Sequence, residues 1–294
     1  MEGGRVPTDG PRVWLAVPTF NEAGNVERIV RAALAELERC APGDHRVLIV
    51  DDASPDGTGA VADALAAELP AVEVLHRPAK QGLGRAYLAG FERALEGGAE
   101  LVVVMDADYS HDPAHLPQLL DAAASSDLVL GSRYVEGGAI LEWPPLRRAL
   151  SRTGSRYARA ILGVGVRDLT GGFRVIRRQV LETVELATLR SQGYVFNIEL
   201  TFRALRAGFR VVELPIVFRD RTVGESKISL PIAVEALWLV PSLRFPALRR
   251  SWPARTVPLA DPAATLEAGP PGAEMAAAPA AHGAPELPGA LLDQ

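Results

Sequence analysis

The sequence has little cysteine and lysine and contains no long apolar run. Its one cysteine, Cys40, excludes an internal disulfide and a multi-cysteine metal site. No stretch reaches about 18 uninterrupted apolar residues, and residues 1–12 are polar, so we expect neither a membrane span nor a signal peptide. Acidic residues outnumber basic ones by 36 to 31, which excludes a generally basic protein that binds nucleic acid without regard to sequence.

Lysine is rare because 29 of the 31 basic residues are arginine. The two lysines are Lys80 and Lys227. A compact ammonium group is retained either where the planar guanidinium group does not fit or by chance on a solvated surface. Both lysines stand in glycine-bearing polar segments that suit anion binding.

Composition divides the chain into a body and a tail. Hydrophobic residues make up 48% of the chain, which is enough for a sizeable core. In residues 251–294, 25 of 44 residues are Ala, Pro or Gly and no period runs through them, so we predict a disordered tail. We also predict a flexible N-terminus over residues 1–11, one catalytic domain over 12–228, and a further helical segment over 229–250.

The body alternates short apolar runs with amphipathic segments. This pattern predicts an α/β fold with a doubly wound, mostly parallel sheet and helices on both faces. Ligands of such sheets bind beyond the carboxyl ends of the strands. The predicted strands are Val13–Val17, Val47–Val50, Val72–Leu75, Leu101–Met105 and Leu128–Leu130, and the predicted helices are Asn25–Arg39, Thr58–Leu69, Leu83–Leu95, Pro113–Ala124 and Pro145–Leu162.

Two acids follow the fourth predicted strand directly. Asp106 and Asp108 are two residues apart, so their carboxylates can share Mg²⁺ or Mn²⁺ with diphosphate oxygens. The alternative is a turn acid followed by a helix cap. Ser110 and His111 come next and lie within reach of the same site.

The other strand ends carry polar segments as well. Pro18 ends the first strand and begins P-T-F-N-E, which suits either a ligand contact or an ordinary helix N-cap. Asp51 and Asp52 follow the second strand, and one of them can bind a ribose hydroxyl or a base N–H group. Lys80 begins K-Q-G-L-G-R-A, whose glycines allow the backbone to approach a ligand.

Two later segments favour anion binding. Arg147 and Ser151 are one helical turn apart and can share an anion. Residues Arg219–Lys227 are polar and rich in cations, which is typical of a mobile anion-binding loop.

Together these motifs resemble glycosyltransferase family 2, of the GT-A fold, and within it the dolichyl-phosphate or polyprenol-phosphate mannosyltransferases. The resemblance runs from about Val13 to Lys227. It is carried by V-P-T-F-N-E, D-D-A-S-P-D-G-T, K-Q-G-L-G-R-A, M-D-A-D-Y-S-H-D-P, G-S-R-Y, D-L-T-G-G-F-R, G-Y-V-F-N-I-E and D-R-T-V-G-E-S-K, in that order.

The resemblance implies a metal site, an acceptor site and a donor pocket. Asp106 and Asp108 would hold Mg²⁺ or Mn²⁺, with Ser110 standing where relatives often have Gln. The acceptor phosphate would bind Arg133, Arg147 and Ser151. The nucleotide sugar would contact Pro18, Phe20, Glu22, Val50, Asp52, Lys80, Gly84, Asp106, Ala107, Asp108, Arg221 and Lys227. Catalysis would rest on Asp106, Asp108, Arg133, Arg221 and Lys227.

The implied reaction transfers mannose from GDP-mannose to a polyprenyl phosphate, with inversion and release of GDP. The acceptor is already an anion, so no strong general base is needed. A near alternative is a transferase that moves glucose or N-acetylglucosamine from UDP to the same kind of lipid. Two more distant alternatives are a nucleotidyltransferase and a catalytically silent binding protein.

A prenyl chain in the acceptor implies a membrane surface. Residues 229–250 fit a helix that lies in the headgroup region, or one that packs on the catalytic core. Pro241 argues against a single straight helix in either case. We expect a peripheral protein on the cytoplasmic face of the membrane, which reaches the bilayer through residues 229–250, through helix Pro145–Leu162 or through a separate membrane protein.

Overall fold

A computed structural model describes residues 10–189, 191, 193–220 and 230–245. Of residues 230–236 it describes the backbone only. The predicted tail, most of the predicted flexible N-terminus, and Arg221 and Lys227 lie outside the described residues.

A seven-stranded sheet forms the centre of the fold. The strands of the chain are β1 Val13–Thr19, β2 His45–Asp51, β3 Val72–His76, β4 Leu101–Val104, β5 Leu128–Ser132, β6 Ala139–Ile140, β7 Arg174–Arg177, β8 Val211–Pro215 and β9 Val217–Phe218. The order in the large sheet is β3-β2-β1-β4-β7-β5-β8, and β6 pairs with β9 in a separate two-stranded sheet. The order reverses between β1 and β4, so their carboxyl ends flank the crevice where ligands of such sheets bind.

The five predicted strands are present and parallel, which confirms the predicted fold class. One strand of the large sheet runs the other way. β7 lies between β4 and β5 and pairs antiparallel with both, as in the register Val103 to Val175 to Val129. The antiparallel β7 and the edge strand β8 were not predicted from the sequence.

Helices cover both faces of the sheet. They are α1 Val26–Cys40, α2 Thr58–Glu68, α3 Leu83–Glu96, α4 Leu116–Ala123, α5 Pro145–Leu162, α6 Arg178–Thr183, α7 Gly193–Arg206 and α8 Leu230–Arg244. Alternate strand residues face opposite sides: Leu15 and Val103 pack under α1, α2 and α4, whereas Trp14 and Val102 pack with α3, α6 and α7. Each face of the sheet therefore has its own apolar core, which is built mainly from Val, Leu, Ile and Ala side chains.

The prediction that Pro18 ends the first strand was wrong, because β1 continues to Thr19. The carbonyl of Ala16 accepts a hydrogen bond from Met105 on the β4 side, and that of Thr19 accepts one from Asp52 on the β2 side. Successive residues face opposite neighbours, so the nitrogen of Pro18 faces the side on which β4 has already ended. A proline is tolerated there because no ladder bond is lost.

Pro241 does not end the last helix, and the expectation that this helix is not straight stays a prediction. α8 runs from Leu230 to Arg244 with Pro241 inside it. Proline has no N–H group, so the carbonyl of Leu237, four residues earlier, loses its helical donor. The phenol of Tyr157 on α5 donates to that carbonyl at 2.7 Å and takes the place of the missing donor.

α8 packs on the rest of the fold along part of its surface, and its predicted contact with a membrane stays a prediction. Val240 is buried against the core, and Arg244 donates to the carbonyl of Leu162 at 2.6 Å. Leu237 and Trp238 are nevertheless exposed. No helix in the described part of the chain is both long enough and apolar enough to cross a membrane.

Candidate active site

Two carboxylates lie at the carboxyl end of β4, next to the point where the strand order reverses. The side chain of Asp106 is one-third exposed, and Asp108 is buried. The Oδ1 atom of Asp108 accepts a hydrogen bond from the backbone N–H of Ser110 at 3.0 Å. Asp108 is thereby oriented by its own loop, and Asp106 faces the open side of the sheet edge.

Ser110 adds a third oxygen to this loop. Its side chain is 3% exposed, and its Oγ atom has no hydrogen-bond partner among the described residues. A buried hydroxyl without a hydrogen-bond partner destabilises the fold unless a ligand or a water molecule supplies that hydrogen bond. The described residues contain no group of three or more His, Cys, Asp or Glu side chains placed to hold a metal. Any divalent ion here would therefore take its remaining ligands from substrate oxygens and water, as Mg²⁺ commonly does.

His111 fixes the backbone of the acidic loop. Its ring is buried between Phe173 and Phe218, and burial lowers its pKa. The neutral ring accepts a hydrogen bond at Nδ1 from the backbone N–H of Asp106 at 3.1 Å. This acceptor role assigns the ring proton to Nε2.

The ends of β1 and β2 are tied to each other. Glu22 is buried, its backbone N–H donates to the Thr58 hydroxyl at 2.9 Å, and its Oε2 accepts from Asn25 at 2.8 Å. Phe20 is half-buried, and the Lys80 ammonium lies 3.7 Å from the centre of its ring. Phe20 and Lys80, 60 residues apart in the sequence, are therefore in contact beyond the ends of the strands, and their contact is a cation–π interaction.

Asp52 holds the glycine-rich turn that precedes α3. Its carboxylate forms an ion pair with Arg77 and accepts backbone hydrogen bonds from Gln81 at 3.2 Å and Gly82 at 3.0 Å. The predicted contact of Asp52 with a nucleotide stays a prediction. Through these hydrogen bonds Asp52 positions the loop that carries Lys80.

Three loops at this edge contain a non-glycine residue with left-handed backbone. Asn21, Ala53 and Tyr109 have φ angles of 56°, 56° and 61°. Such conformations are unfavourable for residues with a Cβ atom and often occur at functional sites. They follow β1 and β4, which flank the crevice, and β2, the neighbour of β1.

A buried ion pair lies after β5. Arg133 and Asp168 are 7% and 0% exposed, and Nε and Nη2 of Arg133 each donate to a different Asp168 oxygen at 2.7 Å. Burial alone would lower the pKa of Arg133 and raise that of Asp168, but their mutual attraction outweighs it, so the Arg133 pKa is raised and the Asp168 pKa is lowered. Both groups are charged at neutral pH.

The two other predicted acceptor residues have separate partners. Arg147 forms an ion pair with Asp220 at 2.9 Å and lies over the ring of Trp143. The hydroxyl of Ser151 accepts a hydrogen bond from the Tyr134 phenol at 2.6 Å. The ion pair with Asp220 shows that Arg147 is placed to bind a carboxylate.

Comparison with known proteins identifies the family of this chain. The sequence model of glycosyl transferase family 2 matches residues 14–185, which include the strands and loops of the crevice. The chain belongs to glycosyl transferase family 2. The predicted family is thereby confirmed.

Relatives within family 2 match most of the chain. A polyprenol monophosphomannose synthase of Mycolicibacterium smegmatis is 48% identical over 231 residues, 78% of this chain and 85% of the relative. An undecaprenyl-phosphate mannosyltransferase of Micrococcus luteus is 47% identical over 226 residues, 77% of this chain and 91% of the relative. These relatives confirm the predicted polyprenyl-phosphate mannosyltransferase branch.

Solved structures share the fold at low identity. A glucosyl-3-phosphoglycerate synthase from Mycobacterium tuberculosis in complex with phosphoglyceric acid superimposes with a TM-score of 0.59 at 17% identity, with 80% of each chain covered. The same synthase with Mg²⁺ and uridine diphosphate gives 0.58 at 18% identity and the same coverage. At this identity the match confirms the fold alone.

The remaining predicted site residues of this family 2 chain either lie at strand and helix ends or fall outside the described residues. Arg221 and Lys227 lie outside the described residues. Pro18, Val50 and Ala107 are buried at the carboxyl ends of β1, β2 and β4, and Gly84 is buried in the first turn of α3.

Sequence reasoning assigned no role to four residues that hold the site together. They are Arg77, Tyr87, Asp168 and Asp220, the partners of Asp52, Asp106, Arg133 and Arg147. Asp168 stands in D-L-T-G-G-F-R and Asp220 in D-R-T-V-G-E-S-K, two of the motifs that carry the resemblance, so a signal was present for both. Tyr87 carried no such signal, because an aromatic residue in an amphipathic helix reads as core.

Proposed function

We propose that this family 2 enzyme transfers mannose from GDP-mannose to a polyprenyl phosphate, releases GDP and inverts the anomeric carbon. The observation that carries the proposal is the presence at one sheet edge of an acid pair, Asp106 and Asp108, and of two arginines already paired with carboxylates, Arg133 and Arg147. The first pair suits a diphosphate with its metal, and the second suits an anionic acceptor. The identity to polyprenyl-phosphate mannosyltransferases over most of the chain supports the same assignment.

The oxygen donors at the end of β4 fit a divalent cation. Asp106 and Asp108 would supply two carboxylates, and the buried Ser110 hydroxyl, which has no described partner, would supply a third oxygen directly or through water. Mg²⁺ and Mn²⁺ prefer oxygen ligands of this kind. Bound there, the ion would neutralise negative charge on the leaving GDP.

The chain's own residues would orient two anions for an in-line displacement. The acceptor phosphate attacks the anomeric carbon without prior loss of a proton, so alignment and screening of charge are the main requirements. Arg133, Arg147 and Ser151 are the proposed acceptor contacts. Arg147 would exchange Asp220 for the phosphate, whereas Arg133 would stay paired with Asp168 and present its charge from a fixed position. From the following loop, Arg221 and Lys227 would bind the diphosphate.

The donor base would lie between the ends of β1 and β2. Phe20 and Lys80, which are in contact, would form one wall of that pocket, and Asp52 holds the adjacent turn. The further proposed donor contacts are Pro18, Glu22, Val50, Gly84 and Ala107.

The prenyl chain requires a surface that meets a bilayer, and we assign it to α5 and α8. Five large apolar side chains on these helices and at the residue that follows α8 are 52–73% exposed, which is unusual for residues of this size. We call them the apolar surface; they are Leu146, Leu150, Leu237, Trp238 and Phe245. The exposed Arg152 and Arg156 lie on the same α5 helix, and each cation near an anionic membrane contributes about 1 kcal/mol. The enzyme would bind peripherally on the cytoplasmic face.

The reaction is tested by incubating the full chain with a polyprenyl phosphate and a radiolabelled donor. We expect labelled lipid from GDP-mannose with Mg²⁺ or Mn²⁺, and none after chelation of the metal. Product from UDP-glucose or UDP-N-acetylglucosamine instead would favour the UDP-sugar alternative, and no product from any donor would contradict transfer.

The membrane assignment is tested with Leu150→Glu combined with Trp238→Glu. Both side chains are more than 60% exposed, so the variant is expected to fold. We expect reduced co-sedimentation with anionic liposomes and unchanged binding of GDP-mannose. The control is Ala35→Glu, an exposed site on α1 outside the apolar surface. Equal co-sedimentation of the two variants would refute the assignment.

A further inference from the structure

Arg174 is the largest fully buried side chain of the described residues, and it stands directly behind the acidic loop. It is 1% exposed and makes no ion pair with any described residue. Its Nη2 donates to the carbonyl of Gly171, and its Nη1 lies 3.4 Å from both the carbonyl of Asn197 and the hydroxyl of Thr201 on α7. The guanidinium group thus fastens the Gly171–Gly172 turn to α7.

Arg174 remains positively charged although its side chain is buried. Burial lowers its pKa to about 10, which still leaves it protonated at neutral pH. Charges interact strongly in a medium from which water is excluded. Tyr87, Asp168 and Asp106 are the groups whose charge acts on Arg174. A fixed cation therefore acts on Asp106 from inside the protein.

Tyr87 connects this interior to Asp106. Its ring is buried on α3, 6.1 Å from the ring of Phe91 and 5.5 Å from that of Phe196. Its hydroxyl donates to Oδ1 of Asp106 at 3.4 Å. The ring contacts determine where the hydroxyl lies, so the phenol offers a rigid donor to the carboxylate.

Gly172 leaves the space that this contact needs. A Cβ atom on Gly172 would lie 3.3 Å from the Tyr87 hydroxyl, 3.4 Å from Oδ2 of Asp106 and 3.2 Å from the ring of His111. The distances to the Tyr87 hydroxyl and the His111 ring are tighter than ordinary van der Waals contact, and the distance to Asp106 is at its lower limit, so a side chain there would press on the Tyr87 hydroxyl. The turn held by Arg174 therefore adjoins the Tyr87–Asp106 contact.

We propose that Tyr87 is a positioning residue that orients the Asp106 carboxylate toward the divalent cation, within a buried support formed by Arg174 and Gly172. The inference rests on the proposed metal role of Asp106. Hydrogen bonds to ligating carboxylates commonly tune metal affinity, and their loss costs roughly 10- to 100-fold in affinity or activity. The contact at 3.4 Å is long, so we expect an effect near the lower limit.

The test is a titration of the full chain with Mn²⁺ in the presence of GDP, followed by the electron paramagnetic resonance signal of free Mn²⁺. Tyr87→Phe keeps the ring packing and removes only the hydroxyl. We expect its Mn²⁺ dissociation constant to rise about 10-fold with one site per chain retained. Tyr157→Phe is the matched control, because it removes a phenol hydroxyl that binds Leu237 instead, and its constant should equal that of the wild type.

The outcomes distinguish a positioning role of Tyr87 from a merely structural one. A merely structural role would lower the number of Mn²⁺ sites per chain and leave the dissociation constant unchanged. An unchanged constant for Tyr87→Phe would overturn the inference while the proposed function stands. Failure of the wild type to bind Mn²⁺ would overturn the proposed metal role itself, and the inference with it. Should Tyr87→Phe not fold, Gly172→Ala carries the test, and the same rise in the constant is expected.

Discussion

The buried pair of Arg133 and Asp168 allows a quantitative test by Asp168→Asn. The substitution preserves the shape of the side chain and removes its charge. The Asp168 oxygens accept from the backbone N–H, Nε and Nη2 of Arg133, at 3.0, 2.7 and 2.7 Å. An amide has one acceptor oxygen in place of two, and its NH₂ group would face the guanidinium donors. Arg133 would remain charged and buried without a countercharge.

The magnitude follows from the burial of both partners. Removal of one member of a buried ion pair costs about 3–5 kcal/mol, because the other charge is left uncompensated. Domains are stable by about 5–15 kcal/mol, so the loss is a large part of the total. With a urea m-value of about 3 kcal/mol per molar, the unfolding midpoint should fall by about 1–2 M.

The assay is urea unfolding followed by circular dichroism, with Asp44→Asn as the matched control. Arg12 and Asp44 also form an ion pair, at 2.6 Å, but their side chains are 33% and 12% exposed. Partly exposed pairs contribute about 1 kcal/mol or less, so the control should shift the midpoint far less. Equal losses for the two substitutions would show that burial does not determine the contribution of the pair.

Three further predictions concern pH, the acid pair and the last helix. Arg133 holds the pKa of Asp168 below 3.8, so the stabilisation of the fold by this ion pair is present above that pH and is lost as the pH falls through the lowered pKa. The difference in stability between wild type and Asp168→Asn should therefore shrink below about pH 4 in acid unfolding. Asp106→Asn and Asp108→Asn should each abolish mannosyl transfer while the thermal unfolding midpoint changes little, and near-normal turnover of both would contradict the metal role. Tyr157→Phe should cost about 0.5–1 kcal/mol in urea unfolding, since the Leu237 carbonyl loses its donor, and an unchanged midpoint would mean that water replaces it.

Much of the fold was predictable because it depends on local pattern. The five parallel strands and the helices between them follow from apolar periodicity, and observed helix ends such as Val26 and Glu96 lie within a residue of those expected. The position of the acid pair at a strand end was predictable for the same reason. The carboxyl ends of parallel strands meet at one edge, so residues that follow them are brought together whatever their separation in sequence.

The exceptions arose where a neighbouring element changed a local rule. Pro18 stays within β1 because β4 ends beside it. Pro241 lies within α8, where Tyr157 supplies a donor to the Leu237 carbonyl. Neither circumstance is visible in the residues next to the proline. The antiparallel β7 was missed because four residues, Arg174–Arg177, are too short a run to carry a clear period.

By itself, the sequence determined the family, the class of fold and the edge of the sheet at which we propose that chemistry takes place. Only the tertiary structure decided which partner each charged residue has. Arg133 meets Asp168 across 35 residues, Asp52 meets Arg77 across 25, and Tyr87 reaches Asp106 across 19. Each of these contacts joins side chains from different strands, helices or loops. Because charge pairing and burial depend on distance in space, no pattern along the chain specifies them.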